Sequence, residues 1–324
     1  MKILVLAPFS DEGLARLRRL GDVVYEPWLA TRRIWDPEEL GARLHQDGID
    51  AVIIEADFVL AETLAAAPGL RFIGLCRGDV GPHVDLEAAA QAGVCVVRAS
   101  ARNATAVAEL TIGLMLALAR RILPAHAAIV SGRWSSPLDG YAGFRGCELA
   151  GKTAGLIGLG AVGREVARRL LAFDMTLFAH DPPLAERGGE SAGVPLVGLD
   201  ELLRRSDFLC LHAAVTPSSA GIIGARELAL MRPGAYLVNT ARAALVDEQA
   251  LLQALQERRL AGAALDVHSV EPLPPNSAWL ALDNVILTPH IGGASDDVVR
   301  RHSEAIVADL ERWLRGEPVP GRVV

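Results

Sequence analysis

The sequence predicts an α/β protein built from two doubly wound parallel sheets. Three observations carry this. Short apolar runs bounded by turn residues alternate with amphipathic stretches along nearly the whole chain. The alternation occurs twice, over residues 1 to about 100 and again from Thr153. The second series opens on a glycine-rich turn in the stretch TAGLIGLGAVGREVARRLLAFDMTLFAHD, Thr153 to Asp181. Strands separated by helices in this way form parallel sheets covered on both faces, with right-handed crossovers.

In the first series, Lys2 to Ala7 reads as a buried strand and Glu12 to Leu20 as an amphipathic helix. Val23 to Glu26 can be a strand. Pro37 to Gln46 reads as a helix, with Asp36 as its N-cap and Pro37 at the first helical position, where the missing N–H costs nothing. Ala51 to Glu55 is a third strand. Ala61 to Ala67 is a short helix stopped by Pro68-Gly69. Phe72 to Cys76 is a fourth strand, Leu86 to Ala92 a helix closed by Gly93, and Val94 to Val97 a fifth strand.

Ala108, Ile112, Met115, Leu116 and Ala119 then recur at helical spacing. They predict a long connecting helix, Asn103 to Leu123, broken at Pro124, with a second helix over Ala125 to Ser131. Gly132 to Gly151 is turn-rich. From Thr153, strands are expected at Ala154–Leu159, Met175–Ala179, Phe208–Leu211, Ala235–Asn239, Ala263–Val267 and Val285–Leu287. Helices are expected at Val162–Ala172, Leu199–Arg204, Ala225–Leu230 and Glu248–Glu257. A last amphipathic helix, Asp296 to Leu314, precedes a polar tail.

The glycine stretch carries the first chemistry. Gly158, Gly160 and Gly163 are spaced G-x-G-x-x-G between a strand and a helix. That is the Rossmann arrangement: a tight turn, backbone approach to a pyrophosphate, and close helix–strand packing. The helix start at Ala161 and Val162 offers free N–H groups to the pyrophosphate. Asp181 lies 23 residues beyond Gly158, where an acid accepts from the adenosine ribose. The cofactor expected is NAD, since a carboxylate there repels a 2′-phosphate.

Composition narrows the class. The net charge is −7 with no basic stripe, so no nucleic-acid surface is expected. The apolar start MKILVLAP is too short to span a membrane, and Leu110–Ala119 suits a buried helix. Cys76, Cys95, Cys147 and Cys210 stand singly, without a C-x-x-C pair. No metal site is expected, and the thiols suit a reduced, cytoplasmic protein.

Three later segments each end an expected strand: Asn239-Thr240-Ala241-Arg242, Asp266-Val267-His268-Ser269-Val270-Glu271-Pro272, and Thr288-Pro289-His290-Ile291-Gly292-Gly293. Ligands of open α/β sheets bind at the carboxyl ends of strands, so Arg242, Glu271 and His290 can converge beside a nicotinamide. Arginine grips a carboxylate with two prongs. Histidine protonates a carbonyl oxygen as hydride reaches the carbon. A neighbouring carboxylate favours the imidazolium and fixes its ring. The product of such a set is a 2-hydroxy acid.

The chain resembles the D-isomer-specific 2-hydroxyacid dehydrogenase family over nearly its full length. The matching segments are GLIGLGAVGREVARRLLAFDM, MRPGAYLVNTARAALVDEQAL, GAALDVHSVEPLP and LTPHIGG. The resemblance implies a flavodoxin-like substrate domain, residues 1–101 and 291–324, and a Rossmann NAD-binding domain, residues 102–290. It implies Arg242 as carboxylate anchor, Glu271 as partner of His290, and His290 as acid/base. Asp266 would lie at the nicotinamide end. His212, Ala213 and Thr216 would contact the cofactor on the adenine side, and Thr240, Ala241 and Gly293 are further candidate cofactor contacts. A homodimer through the cofactor domain is implied as well. His83, His126, His180 and His268 are assigned structural or surface places.

One loop departs from the family pattern. Cys76-Arg77-Gly78-Asp79-Val80-Gly81-Pro82-His83-Val84-Asp85 stands where relatives carry a shorter carboxylate-cradling loop. Arg77, Gly78 and Asp79 are its candidate substrate contacts. The reading is therefore an NAD-dependent enzyme interconverting a small anionic 2-keto acid and a D-2-hydroxy acid, such as glyoxylate, hydroxypyruvate or a phosphorylated relative. Alternatives are a phosphite or other small-anion dehydrogenase, for which Arg77 would suit a dianion, and a non-enzymatic NAD-sensing interaction protein. Formate enzymes of this fold pair the histidine with glutamine, and Glu271 argues against that chemistry.

Overall fold

The computed structural model describes residues 1–189 and 191–324. It divides into two compact units: Met1–Arg102 with Ser295–Val324, and Asn103–Ala294. Among the described residues the named strands form two sheets, all of whose pairings are parallel.

The first unit holds β1 (Lys2–Val5), β2 (Asp22–Tyr25), β3 (Ala51–Ile54), β4 (Phe72–Leu75) and β5 (Cys95–Arg98) in the order β2-β1-β3-β4-β5. That is the flavodoxin-like winding. Strands β3 and β4 are buried at every position, as expected of strands covered on both faces. The helix Asp296–Leu314 belongs to this unit and puts Ile306, Val307 and Leu310 into one core with Ile3, Val5, Leu14 and Phe72. The Asp36 carboxylate accepts from the Glu38 N–H at 2.9 Å and so starts the helix Pro37–Gln46.

The second unit holds β6 (Thr153–Ile157), β7 (Thr176–His180), β8 (Phe208–Leu211), β9 (Tyr236–Asn239), β10 (Gly262–Leu265) and β11 (Val285–Leu287), in the order β11-β10-β9-β8-β6-β7. A single parallel bridge from Leu196 to Ala179 extends the sheet beyond β7. With Leu196 counted, the order is the doubly wound Rossmann order, which reverses between β6 and β8. That reversal is where such sheets bind ligands. The helices Ala104–Ala119 and Ala161–Leu171 share one core with β6 and β8, through Ile112, Met115, Val166, Ala167 and Leu170.

Three local expectations are corrected. The long helix ends at Ala119, not Leu123. Arg121 takes a left-handed φ of 51°, and the next helix, Ile122–Val130, starts there. Pro124 lies in that helix's first turn, where its missing N–H would have no partner anyway. The turn-rich stretch contains a helix, Pro137–Gly143, capped by the Ser136 hydroxyl. The tail is not merely polar: Arg322 bridges Val97 in antiparallel fashion and the Val323 N–H reaches Val96 O at 2.8 Å. It covers the edge of β5, which would otherwise be open to pairing. Among the described residues no helix is long and apolar enough to cross a membrane.

Candidate functional site

At two of its three glycines the β6–β8 switch point has no room for a larger residue. Gly158 has a φ of +91°, and a Cβ on it would stand 2.6 Å from Ala213 N. A Cβ on Gly163 would meet Gly158 O at 2.2 Å. Gly160 differs: the space around its added Cβ is open, and it is the N-cap of Ala161–Leu171. The three glycines therefore do separate things. Gly158 lets the turn press on β8, Gly163 lets the helix press on the turn, and Gly160 leaves the backbone approachable. The Arg164 Nε braces the turn from Leu159 O at 3.0 Å.

Asp181 follows β7, and both its carboxylate oxygens face backbone donors. Oδ2 accepts from the Leu159 N–H at 2.8 Å and Oδ1 from the Leu184 N–H at 2.9 Å. The carboxylate thus ties the glycine turn to the helix Pro182–Glu186, which it caps. Each oxygen keeps lone-pair capacity for a ribose hydroxyl. The next arginine in the sequence, Arg187, turns its Nε to Pro183 O at 2.8 Å.

His212 ends β8 beside that turn. Its two ring nitrogens are buried and without a partner among the described residues, and burial holds its pKa down to about 4. Orphaned nitrogens are costly to bury, so a neutral ring waiting here fits a ligand at the switch point. Thr216 is exposed and exchanges hydrogen bonds with Ser219, whose hydroxyl accepts the Thr216 N–H at 2.8 Å. Together, the glycine cradle, the open Gly160, the oriented Asp181 and the orphaned His212 fit a dinucleotide.

On the same rim, β9, β10 and β11 are neighbours, so the loops after them lie side by side. The first loop carries Arg242, which is exposed. Asn239, itself buried, holds this loop by accepting the Ala241 N–H at 3.0 Å and donating to Arg242 O at 2.9 Å. Thr240 is tied to the helix Ala104–Ala119 through Thr111, hydroxyl to hydroxyl at 2.9 Å.

The other two loops are laced together. His290 Nδ1 lies 2.8 Å from Glu271 Oε2, and both side chains remain accessible, 48% and 38% exposed. Partial burial pushes the Glu271 carboxyl up, but His290, the His268 N–H and the charges of both histidines outweigh it and hold it below its ordinary range. His290 has a left-handed φ of 56°, a conformation that costs a non-glycine residue on the order of 1 kcal/mol or more and persists only where surroundings impose it. Asp266 supplies much of that force. Its buried carboxylate accepts from Thr288 Oγ1 at 2.6 Å, Ile291 N at 2.9 Å and Gly292 N at 2.7 Å. Behind Glu271, Glu248 accepts both the N–H and the hydroxyl of Ser269, at 3.1 and 2.6 Å.

The structure thus brings Glu271 and His290 into contact and sets Arg242 on the adjoining loop. Arg77, Gly78 and Asp79 belong to the other unit. All three are exposed, and Gly78 O accepts from Arg98 at 3.0 Å. Asn239, Thr111, Glu248, Ser269 and Thr288 are organising residues that the sequence reading does not single out. Only Asn239, a polar residue ending a fully apolar strand, carries a local signal.

This geometry defines an open α/β unit with a dinucleotide turn at its switch point and an Arg, Glu and His rim beside it. Comparison with known proteins makes the class specific. The family model described as "D-isomer specific 2-hydroxyacid dehydrogenase, NAD binding domain" matches residues 112–292. The chain is similar to a D-3-phosphoglycerate dehydrogenase of Methanocaldococcus jannaschii, 39% identical over 319 residues, covering 98% of this chain and 58% of that protein. It is similar to a glyoxylate reductase of Thermofilum pendens, 37% identical, covering 99% of this chain and 94% of that protein. The crystal structure of the TT0316 protein from Thermus thermophilus superimposes with a TM-score of 0.87 at 36% identity, covering 100% of both chains. The chain belongs to the D-isomer-specific 2-hydroxyacid dehydrogenase family. It spans little more than half the length of the phosphoglycerate dehydrogenase it matches.

Proposed function

We propose that the protein is an NAD-dependent reductase of a small 2-keto acid, yielding the D-2-hydroxy acid. The observation that carries this is the Glu271–His290 pair, 2.8 Å apart, on the rim where β9 to β11 end. Nδ1 donates to the carboxylate, so Nε2 is the nitrogen left to hand a proton to the substrate oxygen. Bound NADH supplies the hydride to the carbonyl carbon. Gly160, Asp181 and His212 would hold it: the open backbone at the pyrophosphate, the carboxylate at the ribose hydroxyls, the ring at the switch point. Arg242 grips the substrate carboxylate and orients the carbonyl. Glu271, held in its charged form, keeps His290 turned and supports its imidazolium. Asp181 favours NAD over NADP, because its fixed charge opposes a 2′-phosphate.

The relatives named glyoxylate reductase and D-3-phosphoglycerate dehydrogenase indicate the substrate range: a two- or three-carbon 2-keto acid, with or without a phosphate. The four free cysteines suit a cytoplasmic setting. A homodimer through the second unit is supported by the apolar side chains exposed on its 122–141 segment, where Ile129, Val130, Leu138 and Tyr141 are 60, 72, 78 and 74% exposed.

The test is NADH oxidation, followed by absorbance, against a panel of 2-keto acids. His290→Ala should slow turnover by about a hundredfold or more, the scale of a general acid, while NADH still binds. Arg242→Ala should raise the Michaelis constant and slow turnover. Arg242→Lys should rescue poorly, since an ammonium lacks the two-pronged contact. Parental turnover by His290→Ala would remove the reading.

A further inference from the structure

The loops bearing Glu271 and His290 meet at one carbonyl. Thr288 O accepts the His290 backbone N–H at 3.0 Å, and His268 Nε2 stands 3.0 Å from the same oxygen. A carbonyl only accepts, so Nε2 carries a hydrogen and donates it. The backbone N–H of His268 meanwhile donates to Glu271 Oε1 at 3.0 Å, leaving Oε2 for His290 Nδ1. One residue therefore touches both halves of the pair: it orients the carboxylate of Glu271 and braces the turn that gives His290 its left-handed backbone.

The ring's other nitrogen argues against simple filling of space. His268 Nδ1 is buried and has no partner among the described residues. An apolar ring would occupy this place without that desolvation cost. The imidazole is worth its orphaned Nδ1 only if Nε2 has a task, and its one contact there is the Thr288 carbonyl.

We propose that His268 is a positioning residue of the Glu271–His290 pair: its ring acts through the Thr288 carbonyl, while its backbone N–H holds the Glu271 carboxylate. The inference rests on the reading of His290 as proton donor and extends it to what aims that donor. The site requires a hydrogen-bond donor at the position of Nε2. A histidine that only packs there would be replaceable by any residue of similar size.

The experiment compares His268→Gln with His268→Asn. The glutamine amide reaches as far as Nε2; the asparagine amide reaches only as far as Nδ1. Turnover and KM for 2-keto acid reduction are measured, with NADH affinity and the downfield NMR resonance of the His290 Nδ1 proton. His268→Gln should stay near the parent in all four. His268→Asn should bind NADH normally yet lose between about tenfold and a hundredfold in kcat, as expected of a displaced reacting group, with a smaller change in KM. Its His290 proton signal should shift or broaden. Equal losses in both variants, or parental kcat and proton signal in His268→Asn, would overturn the proposal. So would a fall in NADH affinity matching the fall in kcat. If the parent reduces no 2-keto acid, the enzymatic reading fails, but the His290 proton in the two variants still decides the role of His268.

Discussion

Acid should destabilise this fold through His212 more than through any surface pair, and the size of the effect follows from its burial. The ring titrates near its ordinary value of 6.5 when the chain is unfolded and at about 4 when folded. The folded-state pKa is depressed, so the unfolded chain binds the proton more readily. The contribution of the neutral ring is complete above pH 6.5 and is lost as pH falls toward 4. The full difference, two and a half units at about 1.36 kcal/mol each, is about 3.4 kcal/mol, of which about 2.5 kcal/mol is lost by pH 4.5. The perturbation is His212→Leu, of similar volume and never charged. Urea unfolding of parent and variant at pH 7 and pH 4.5 gives two differences. The parent should lose about 2.5 kcal/mol more than the variant, because all other acid-sensitive groups are common to both. Parallel losses would show that His212 is not held neutral by the fold, and its reading as a ring waiting beside the glycine turn would go with it.

The glycines should separate stability from binding. Gly163→Ala, whose Cβ would lie 2.2 Å from Gly158 O, should lower the melting temperature and abolish NADH binding. Gly160→Ala, with open space around its Cβ, should melt like the parent yet bind NADH about tenfold more weakly, the effect of one displaced hydrogen bond. Asp181→Ala should narrow the ratio of NADH to NADPH efficiency; it also orphans the Leu159 and Leu184 N–H groups, so a fall in stability should accompany the change. For Glu271, whose carboxyl is held low by its partners despite partial burial, Glu271→Gln should move the alkaline limb of 2-keto acid reduction to lower pH. An unmoved or raised limb would mean that another group supports the imidazolium.

Much of this is legible in the chain because its signals are local. G-x-G-x-x-G between strand and helix needs only neighbours to be recognised, as does Asp36-Pro37 before Pro37–Gln46. The helix Asp296–Leu314 is readable to the residue from its periodicity. What escapes depends on contacts distant in sequence or on backbone choices that residue type does not encode. Arg121 has no intrinsic preference for a left-handed φ, so sequence alone assigns the helix break to Pro124, the residue with a known reputation. The Leu196 bridge is one residue long and has no alternation to detect. The tail's single bridge at Arg322 needs the edge that β5 presents, more than two hundred residues earlier.

The polar residues of the site read from sequence as ligand contacts, and the structure gives several of them a prior task. Asp181 and Asp266 each engage loop backbone before any ligand is considered, as does Asn239, which the sequence does not mark as a contact. That is how loops can hold reacting groups to the tolerance catalysis demands: the rigidity comes from carboxylates and amides that satisfy the loop's own donors. Asp266 is the sharpest case, because three donors converge on a side chain only 1% exposed. Asp266→Asn keeps the shape but replaces one accepting oxygen with a donating amide. If Oδ1 remains the oxygen, the amide faces the Gly292 N–H; if the group turns over, it faces the Ile291 N–H and Thr288. Either way an N–H of the turn loses its acceptor, at about 1–3 kcal/mol for the buried Gly292 N–H and less for the partly buried Ile291 N–H. The turn at His290 loses part of what enforces its left-handed backbone. The variant should therefore be less stable by urea unfolding and slower in turnover together. An Asp266→Asn protein with parental stability and turnover would mean that the turn holds itself without the Asp266 carboxylate.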